Sequence, residues 1–399
     1  MHEVPTGLYV HVPFCARTCD YCAFYQSAPT ADEIRRYLEG IEKEASLLEW
    51  PARIDTVFWG GGTPGILAAK DLRHLGRIVN GRCGAKPREW SVEMTPLSVT
   101  KARLEALREV GVTRVSLGVQ SFQAPLLSSL GREHTPEQTY RAYERLRAAG
   151  FDNINFDLMF ALPGQSDMEW ERDLNEAIRL RPEHISTYCL TFEEDTKLWL
   201  QLSKGKLRRD IEAEARLYEW TWGRLAQAGY AQYEVSNFSL PGRACIHNLN
   251  TWRMHDWIGL GPSAASQYRS QRGTNIHDLA KWMEGLASGR RATEDRLTLS
   301  AESLAEDALI FGLRMNEGVD LAPWRVRAPR APWHLVDARL AQLAQEGLLV
   351  QTDSRVRLTN RGRMVADSVG AEFLGMFADP CPSPTRHIEH KEAKNRRSD

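Results

Sequence analysis

The sequence lacks an excess of charge of either sign. Across 399 residues, 51 Lys and Arg stand against 52 Asp and Glu, a net charge of −1. That balance argues against a chain that grips nucleic acid or a membrane surface mainly by electrostatics, because such proteins carry a basic excess. Long hydrophobic runs are lacking as well; nothing approaches the roughly 18 uninterrupted apolar residues of a membrane span. A secretory leader is not expected either, since the first 15 residues have no basic start and Pro5, Gly7 and Pro13 break their apolar stretch. Nor is there a disulfide framework. The seven cysteines are odd in number, and Cys15, Cys19 and Cys22 crowd into eight residues. The expectation is a soluble, cytoplasmic protein in a reducing compartment, with at most peripheral membrane contact.

What is present is ordinary globular composition, 42% hydrophobic and 26% charged, in a chain long enough to bury a core without staples. Short apolar runs at 8–13, 56–59, 90–94, 114–119, 153–160 and 184–190 alternate with amphipathic stretches near 31–49, 69–80, 100–110, 136–149, 167–180 and 211–228. Thr30 with Glu33, Thr135 with Gln138 and Ser166 with Glu169 fit capping boxes, and Gly111, Gly150 and Gly229 follow helix ends. Six strand–helix units imply a parallel sheet with helical crossovers. They are too few for a closed eight-stranded barrel, so the fold class expected is α/β, a partial (β/α)6 barrel with its chemistry at the carboxyl ends of the strands.

Residues 1–230 form this barrel in the sequence-based division. Residues 231–297 look less regular and aromatic-rich, an extension covering the barrel's open side; six of the 12 tryptophans lie between Trp199 and Trp282. They make either an ordinary core or a wall for a large flat ligand. Residues 298–377 contain two amphipathic helices and a short hairpin around Asp353-Ser354, a small C-terminal winged-helix-like domain. Its neutral charge favours a packing role over DNA binding. Residues 378–399 form a polar tail expected to be disordered, with His387 and His390 exposed.

The strongest signal is Cys15-Ala-Arg-Thr-Cys19-Asp-Tyr-Cys22. Three thiolates in one loop after a strand can hold three corners of an iron–sulfur cube, leaving the fourth iron to an external ligand. Zinc with His11 as a fourth ligand is an alternative, although His11 would have to turn back from inside a strand. A Cys19–Cys22 redox pair is another, but it leaves Cys15 unexplained. Cys83, Cys189 and Cys381 read as small apolar or surface residues, and Cys245 as only slightly more interesting.

C-x3-C-x2-C with an aromatic before the last cysteine resembles the radical S-adenosylmethionine (SAM) superfamily, whose fold is such a partial barrel. Further motifs narrow the likeness: Tyr9-Val-His-Val-Pro-Phe-Cys15, Gly60–Pro64, Gly118-Val-Gln-Ser-Phe122, Leu130-Gly-Arg132-Glu-His134, Asp157 with Leu162-Pro-Gly-Gln165, and Tyr233-Glu-Val-Ser-Asn-Phe238. Together, over about residues 8–370, they resemble the oxygen-independent coproporphyrinogen III oxidase-like group, particularly its HemW-type haem chaperones.

The resemblance implies a [4Fe-4S] cluster on Cys15, Cys19 and Cys22, with the methionine end of SAM chelating the remaining iron. Gly61, Gly62 and Thr63 belong to the loop that approaches that end without a Cβ in the way. Tyr9, Glu93, Gln120, Arg132 and Asp157 match positions lining the SAM pocket. The carboxylates suit ribose hydroxyls or the ammonium, and Arg132 suits the carboxylate. Tyr21 and Phe24 would flank the cluster. An electron delivered to such a cluster cleaves SAM to a 5′-deoxyadenosyl radical.

Two functions follow from the likeness. A haem chaperone would bind haem as cargo and pass it to an acceptor protein. A coproporphyrinogen III dehydrogenase would decarboxylate two propionates of a porphyrin precursor to vinyl groups. Phe24 where the dehydrogenases carry a further cysteine, and only 14 residues before Cys15, favour the chaperone. A radical SAM enzyme that methylates or opens the haem ring, and one that modifies nucleic acid, are weaker alternatives. Either main function would need an electron donor such as flavodoxin or ferredoxin. The candidate haem region, Cys245-Ile-His247-Asn-Leu-Asn-Thr251-Trp252, resembles the family's H-N-x-x-Y-W stretch with Thr251 in place of tyrosine. His247 is either an iron ligand or a residue that hydrogen-bonds within its loop.

Overall fold

The computed structural model describes residues 5–23 and 27–377; Phe24 and the tail with Cys381, His387 and His390 lie outside them. Six parallel strands run in sequential order: β1 (Gly7–Val12), β2 (Thr56–Gly61), β3 (Glu89–Met94), β4 (Arg114–Gln120), β5 (Ile154–Phe160) and β6 (His184–Cys189). Between and after them lie helices α1 (Ala31–Ser46), α2 (Ala69–Asn80), α3 (Lys101–Val110), α4 (Ala124–Ser129), α5 (Pro136–Ala148), α6 (Asp167–Leu180), α7 (Lys197–Ser203) and α8 (Ile211–Gln227). This is the expected partial (β/α)6 barrel. All three capping boxes form, and Gly111 ends α3 at φ 106°.

Strand alternation sorts the side chains. Leu8, Val10, Val12, Val57, Trp59, Trp90, Val92, Val115, Leu117, Ile154, Phe156 and Ile185 are buried in the main hydrophobic core. The other face carries Tyr9, His11, Thr56, Glu89, Ser91, Glu93, Ser116, Asn155, Asp157, His184 and Ser186 and forms a polar lumen.

Residues 231–297 are more regular than expected. Beside β6 stand β7 (Ala231–Glu234) and β8 (Asn237–Ser239); beside β1 stand β9 (Trp257–Leu260), β10 (Ala265–Tyr268), β11 (Gln271–Asn275) and β12 (Thr293–Thr298). The barrel sheet therefore reaches 12 strands, extended at both edges. These strands are three to six residues long and mostly polar, too short for a legible period of two. The helix α9 (Ile246–Trp252) packs under β1 and β2, and α10 (Leu279–Ala287) packs on α1. The Trp282 ring lies over Gly40 of α1, tilted against Tyr37, while Trp252 meets Phe311. Both rings thus belong to the core and its seams.

From α11 (Ala301–Leu313) onward the order is β13 (Val319–Asp320), α12 (Ala322–Arg327), α13 (Trp333–Gln345), β14 (Leu349–Thr352) and β15 (Arg355–Leu358), closed by α14 (Asn360–Met364) and α15 (Ala366–Ala371). The three strands pair antiparallel as β13-β15-β14, a winged-helix arrangement over its own hydrophobic cluster. The expected hairpin turns at Asp353, φ 55°. Among the described residues no helix is long and apolar enough to cross a membrane.

Candidate functional site

A cavity of about 990 Å³ opens at the carboxyl ends of the strands, at the upper end of the size range of small-molecule sites. Cys15, Cys19, Cys22 and Tyr21 line one side, and Gly61, Gly62, Thr63, Glu93, Gln120, Arg132 and Asp157 line the rest. Twelve of the 14 residues singled out from the sequence are gathered by this wall or by the lumen layer beneath it; Phe24 lies outside the described residues, and His247 is elsewhere.

The cysteine loop is held by the motifs that follow it. The N–H of Thr63 donates to Phe14 O at 2.7 Å and that of Gly62 to Val12 O at 2.9 Å, which docks the glycine loop on the loop's entry. A Cβ on Gly62 would lie 2.6 Å from Phe14 O, so the close approach requires glycine. Leu130-Gly-Arg-Glu-His134 forms the other wall. Leu130 O accepts Asp20 N–H at 3.1 Å, Glu133 pairs with Arg17 at 3.3 Å, and the Arg132 guanidinium lies 3.4 Å from Cys19 Sγ while donating to Gly118 O at 2.8 Å.

Burial pushes the Cys15 thiol up to about 11, with Cys22 and Cys19 adding to the effect and Thr63 and Arg132 opposing it. Metal binding would have to displace that proton. Two thiols close enough to Cys15 to raise its pKa further, beside a glycine loop, fit a cube with one free corner. Among the described residues no three His, Cys, Asp or Glu side chains converge as a single-ion site would need. The His11 ring lies under Gly61, with Nδ1 3.0 Å from the Tyr9 hydroxyl.

Two carboxylates face the cavity from β3 and β5, with β4 between them. Burial and then the Asp157 charge push Glu93 up to about 8, opposed by the Gly61 N–H that donates to Glu93 Oε2 at 3.2 Å. Asp157 is also raised by burial, and Ser116 at 2.9 Å is the first influence opposing that rise. Gln120 reaches the cavity through a positive φ of 65° at a register shift in β4, a local strain of the kind found at ligand sites.

Other wall residues were not singled out from the sequence: Ser116, Arg103, Met159 and Tyr188 among them. Ser116 and Tyr188 share lumen parity with Asp157 and His184, a signal that strand alternation offered. Tyr9 does not line the cavity. It lies one layer down, tilted against Phe58.

The Cys245–Trp252 stretch closes the opposite end of the lumen. His247 is 7% exposed; its Nδ1 lies 2.9 Å from Thr56 Oγ1 and its ring packs on Gly7 and Phe58. Glu89 accepts the N–H groups of Ile246 and His247 at 3.0 Å each, capping the start of α9. Thr56 and Gly61 are five residues apart on one strand, which puts floor and cavity on the order of 15 Å apart. The His247 ring thus bonds across to β2 and not within its own loop.

A parallel partial barrel with three loop cysteines and a glycine loop at its mouth defines a radical SAM protein. Residues 9–177 match the Radical SAM superfamily, and residues 299–365 match the HemN C-terminal domain. The chain is 32% identical to the Heme chaperone HemW of Bacillus subtilis, over 92% of this chain and 98% of that one. It is 37% identical to the Heme chaperone HemW of Escherichia coli, over 93% and 98%. The mitochondrial Radical S-adenosyl methionine domain-containing protein 1 of Danio rerio is 33% identical over 92% and 86%. The coproporphyrinogen III oxidase HemN of Escherichia coli superposes with a TM-score of 0.80 at 22% identity, covering 93% of this chain and 90% of that one, a likeness of fold. The chain belongs to the HemW family of radical SAM proteins. Membership in the superfamily implies a [4Fe-4S] cluster and SAM.

Proposed function

We propose that this chain is a haem chaperone that holds a [4Fe-4S] cluster and SAM, carries haem as cargo and passes it to an acceptor protein. The observation that carries this reading is the near full-length similarity to relatives named Heme chaperone HemW, at 32–37% identity. In this reading Cys15, Cys19 and Cys22 each hold one iron, and the cavity takes SAM. Arg132 receives its carboxylate, Glu93 and Asp157 its ammonium or hydroxyls, Gln120 and Tyr21 its adenosine end, and Gly61–Thr63 the backbone side of its methionine. A cluster held by these three cysteines would supply the electron for reductive chemistry on SAM, with a small redox protein such as flavodoxin or ferredoxin as its donor. The chain's own part is to bind, orient and exclude water.

The test combines three measurements on one anaerobically reconstituted preparation: iron content with the spectral response to SAM, haem titration, and incubation with coproporphyrinogen, SAM and a reductant. Stoichiometric haem binding without protoporphyrinogen formation is expected. Formation of protoporphyrinogen would move the protein to the dehydrogenase reading, and zinc in place of iron would remove the basis of both.

A further inference from the structure

Below the cavity, one line of lumen side chains is joined end to end. Asp157 accepts Ser116 Oγ at 2.9 Å on Oδ2 and Asn155 Nδ2 at 2.8 Å on Oδ1. The same Nδ2 lies 2.7 Å from Ser116 Oγ, so the Asn155 amide nitrogen faces the carboxylate and its Oδ1 faces down the lumen. There His184 Nδ1 is 2.5 Å away, and Ser186 Oγ lies 3.1 Å from the same oxygen. A carbonyl oxygen only accepts, so His184 carries its proton on Nδ1, which leaves Nε2 to accept from the Tyr233 hydroxyl at 2.8 Å. The Tyr233 oxygen in turn accepts the Cys245 N–H at 3.4 Å, just before α9. Every donor in this chain points toward Asp157.

His184 is fully buried, and its burial and the nearby Arg114 hold the imidazole neutral, as the tautomer requires. Asn155, His184 and Tyr233 do not line the cavity. They reach a ligand through Asp157 and through Ser116, which lines the cavity and donates to the same carboxylate.

We propose that His184 is a positioning residue: its Nδ1–H fixes the Asn155 amide so that two donors orient the Asp157 carboxylate, and its bond to Tyr233 ties that orientation to the α9 floor. This rests on the reading that Asp157 faces bound SAM. Aligned hydrogen bonds in a low-dielectric interior polarise one another, so the neutral imidazole strengthens the donors that reach the carboxylate. Loosening α9 would loosen Tyr233 and His184, leaving Ser186 as the remaining donor to the amide oxygen.

The experiment measures SAM affinity on reconstituted full-length protein, from the change SAM makes in the spectrum of the reduced cluster. His184→Leu should weaken SAM roughly tenfold, the scale of one hydrogen bond to a charged group. His184→Gln, whose amide offers both a donor and an acceptor, should recover most of the loss. In Asp157→Asn, with no carboxylate left to orient, adding His184→Leu should cost nothing more. Losses that add in the double variant, or an affinity unmoved by His184→Leu, overturn the proposal. An affinity unmoved by Asp157→Asn alone overturns the placement of Asp157 at SAM and takes the relay with it. Should His184→Leu fail to fold, Tyr233→Phe deletes a single hydroxyl and decides the matter: SAM weakened several-fold and masked by Asp157→Asn supports the relay, and unchanged affinity overturns it.

Discussion

His247 Nδ1 meets Thr56 Oγ1 at 2.9 Å on the floor of the barrel, at the opposite end of the lumen from the cysteines. Replacing His247 with alanine removes a buried ring and its hydrogen bond, which should cost about 2–4 kcal/mol of stability. Haem affinity should stay unchanged in the folded variant. Chemical denaturation and haem titration of one preparation check both, and a haem affinity lowered tenfold without loss of stability would return His247 to the ligand role.

The same burial gives His247 a pH signature. Burial and then Arg114 push its imidazole down to about 4, so the folded state favours the neutral ring. An unfolded histidine takes up its proton near 6.5, so the stabilising contribution is complete above that value and fades as pH falls from 6.5 toward 4. The buried carboxyls raised by the fold oppose this trend in the whole protein. The comparison with His247→Gln isolates it: the wild-type advantage in denaturation midpoint should shrink across that window. A constant difference would mean that the ring is charged in the folded state.

Glu93 carries a prediction about the cavity. With its carboxyl pushed up to about 8, it is mostly protonated at pH 7. If it pairs with the ammonium of SAM, binding drives off nearly one proton. Calorimetry at pH 7 in two buffers of different ionisation heat should read close to one proton released per SAM, and Glu93→Gln should abolish most of it. Equal release in wild type and variant would assign the ammonium to another group.

The six barrel strands were legible because each is a short apolar run set between amphipathic helical stretches, as in 90–94 between α2 and α3. The cysteine loop was legible because three thiols at that spacing have few other uses. The location of His247 was not, since the same seven residues of α9 could border a ligand or plug a floor; the partners that decide, Thr56 and Glu89, lie 191 and 158 residues away in sequence. Tyr9 shows the same limit, for its depth in the lumen depends on where the glycine loop crosses above it. The short edge strands escaped because Asn237–Ser239 and Trp257–Leu260 take their form from the neighbours they pair with.

Gly61 and His11 form a steric pair. Gly61 has φ 103°, and a Cβ there would lie 2.4 Å from His11 Cε1. Gly61→Ala should therefore cost about 3 kcal/mol, from positive φ and overpacking together. Adding His11→Ala should recover the steric part and leave about 1 kcal/mol for the backbone. Denaturation of the two single variants and the double measures this, and an absence of recovery would place all of the strain in the main chain.

The edge strands beside β1 make a prediction about how the barrel is held together. Glu44 of α1 is fully buried, pairs with Arg291 Nε at 2.8 Å, and accepts Gly261 N–H at 2.8 Å and Asn275 Nδ2 at 2.7 Å. Arg291 also donates to Gly259 O at 2.7 Å. One carboxylate thus joins a barrel helix to β11 and to the loops flanking β9 and β12. Arg291→Leu leaves that carboxylate buried without its cation and should cost about 3–5 kcal/mol. Burial already holds the Glu44 carboxyl above its usual range, with Arg291 the first opposing influence. In the variant the carboxyl should rise further and bind a proton in the folded state. The folded form then holds more protons than the unfolded one, so the deficit should shrink as pH falls from neutral toward 5. A deficit independent of pH would mean that Arg291 acts through packing and its bond to Gly259, with its charge immaterial.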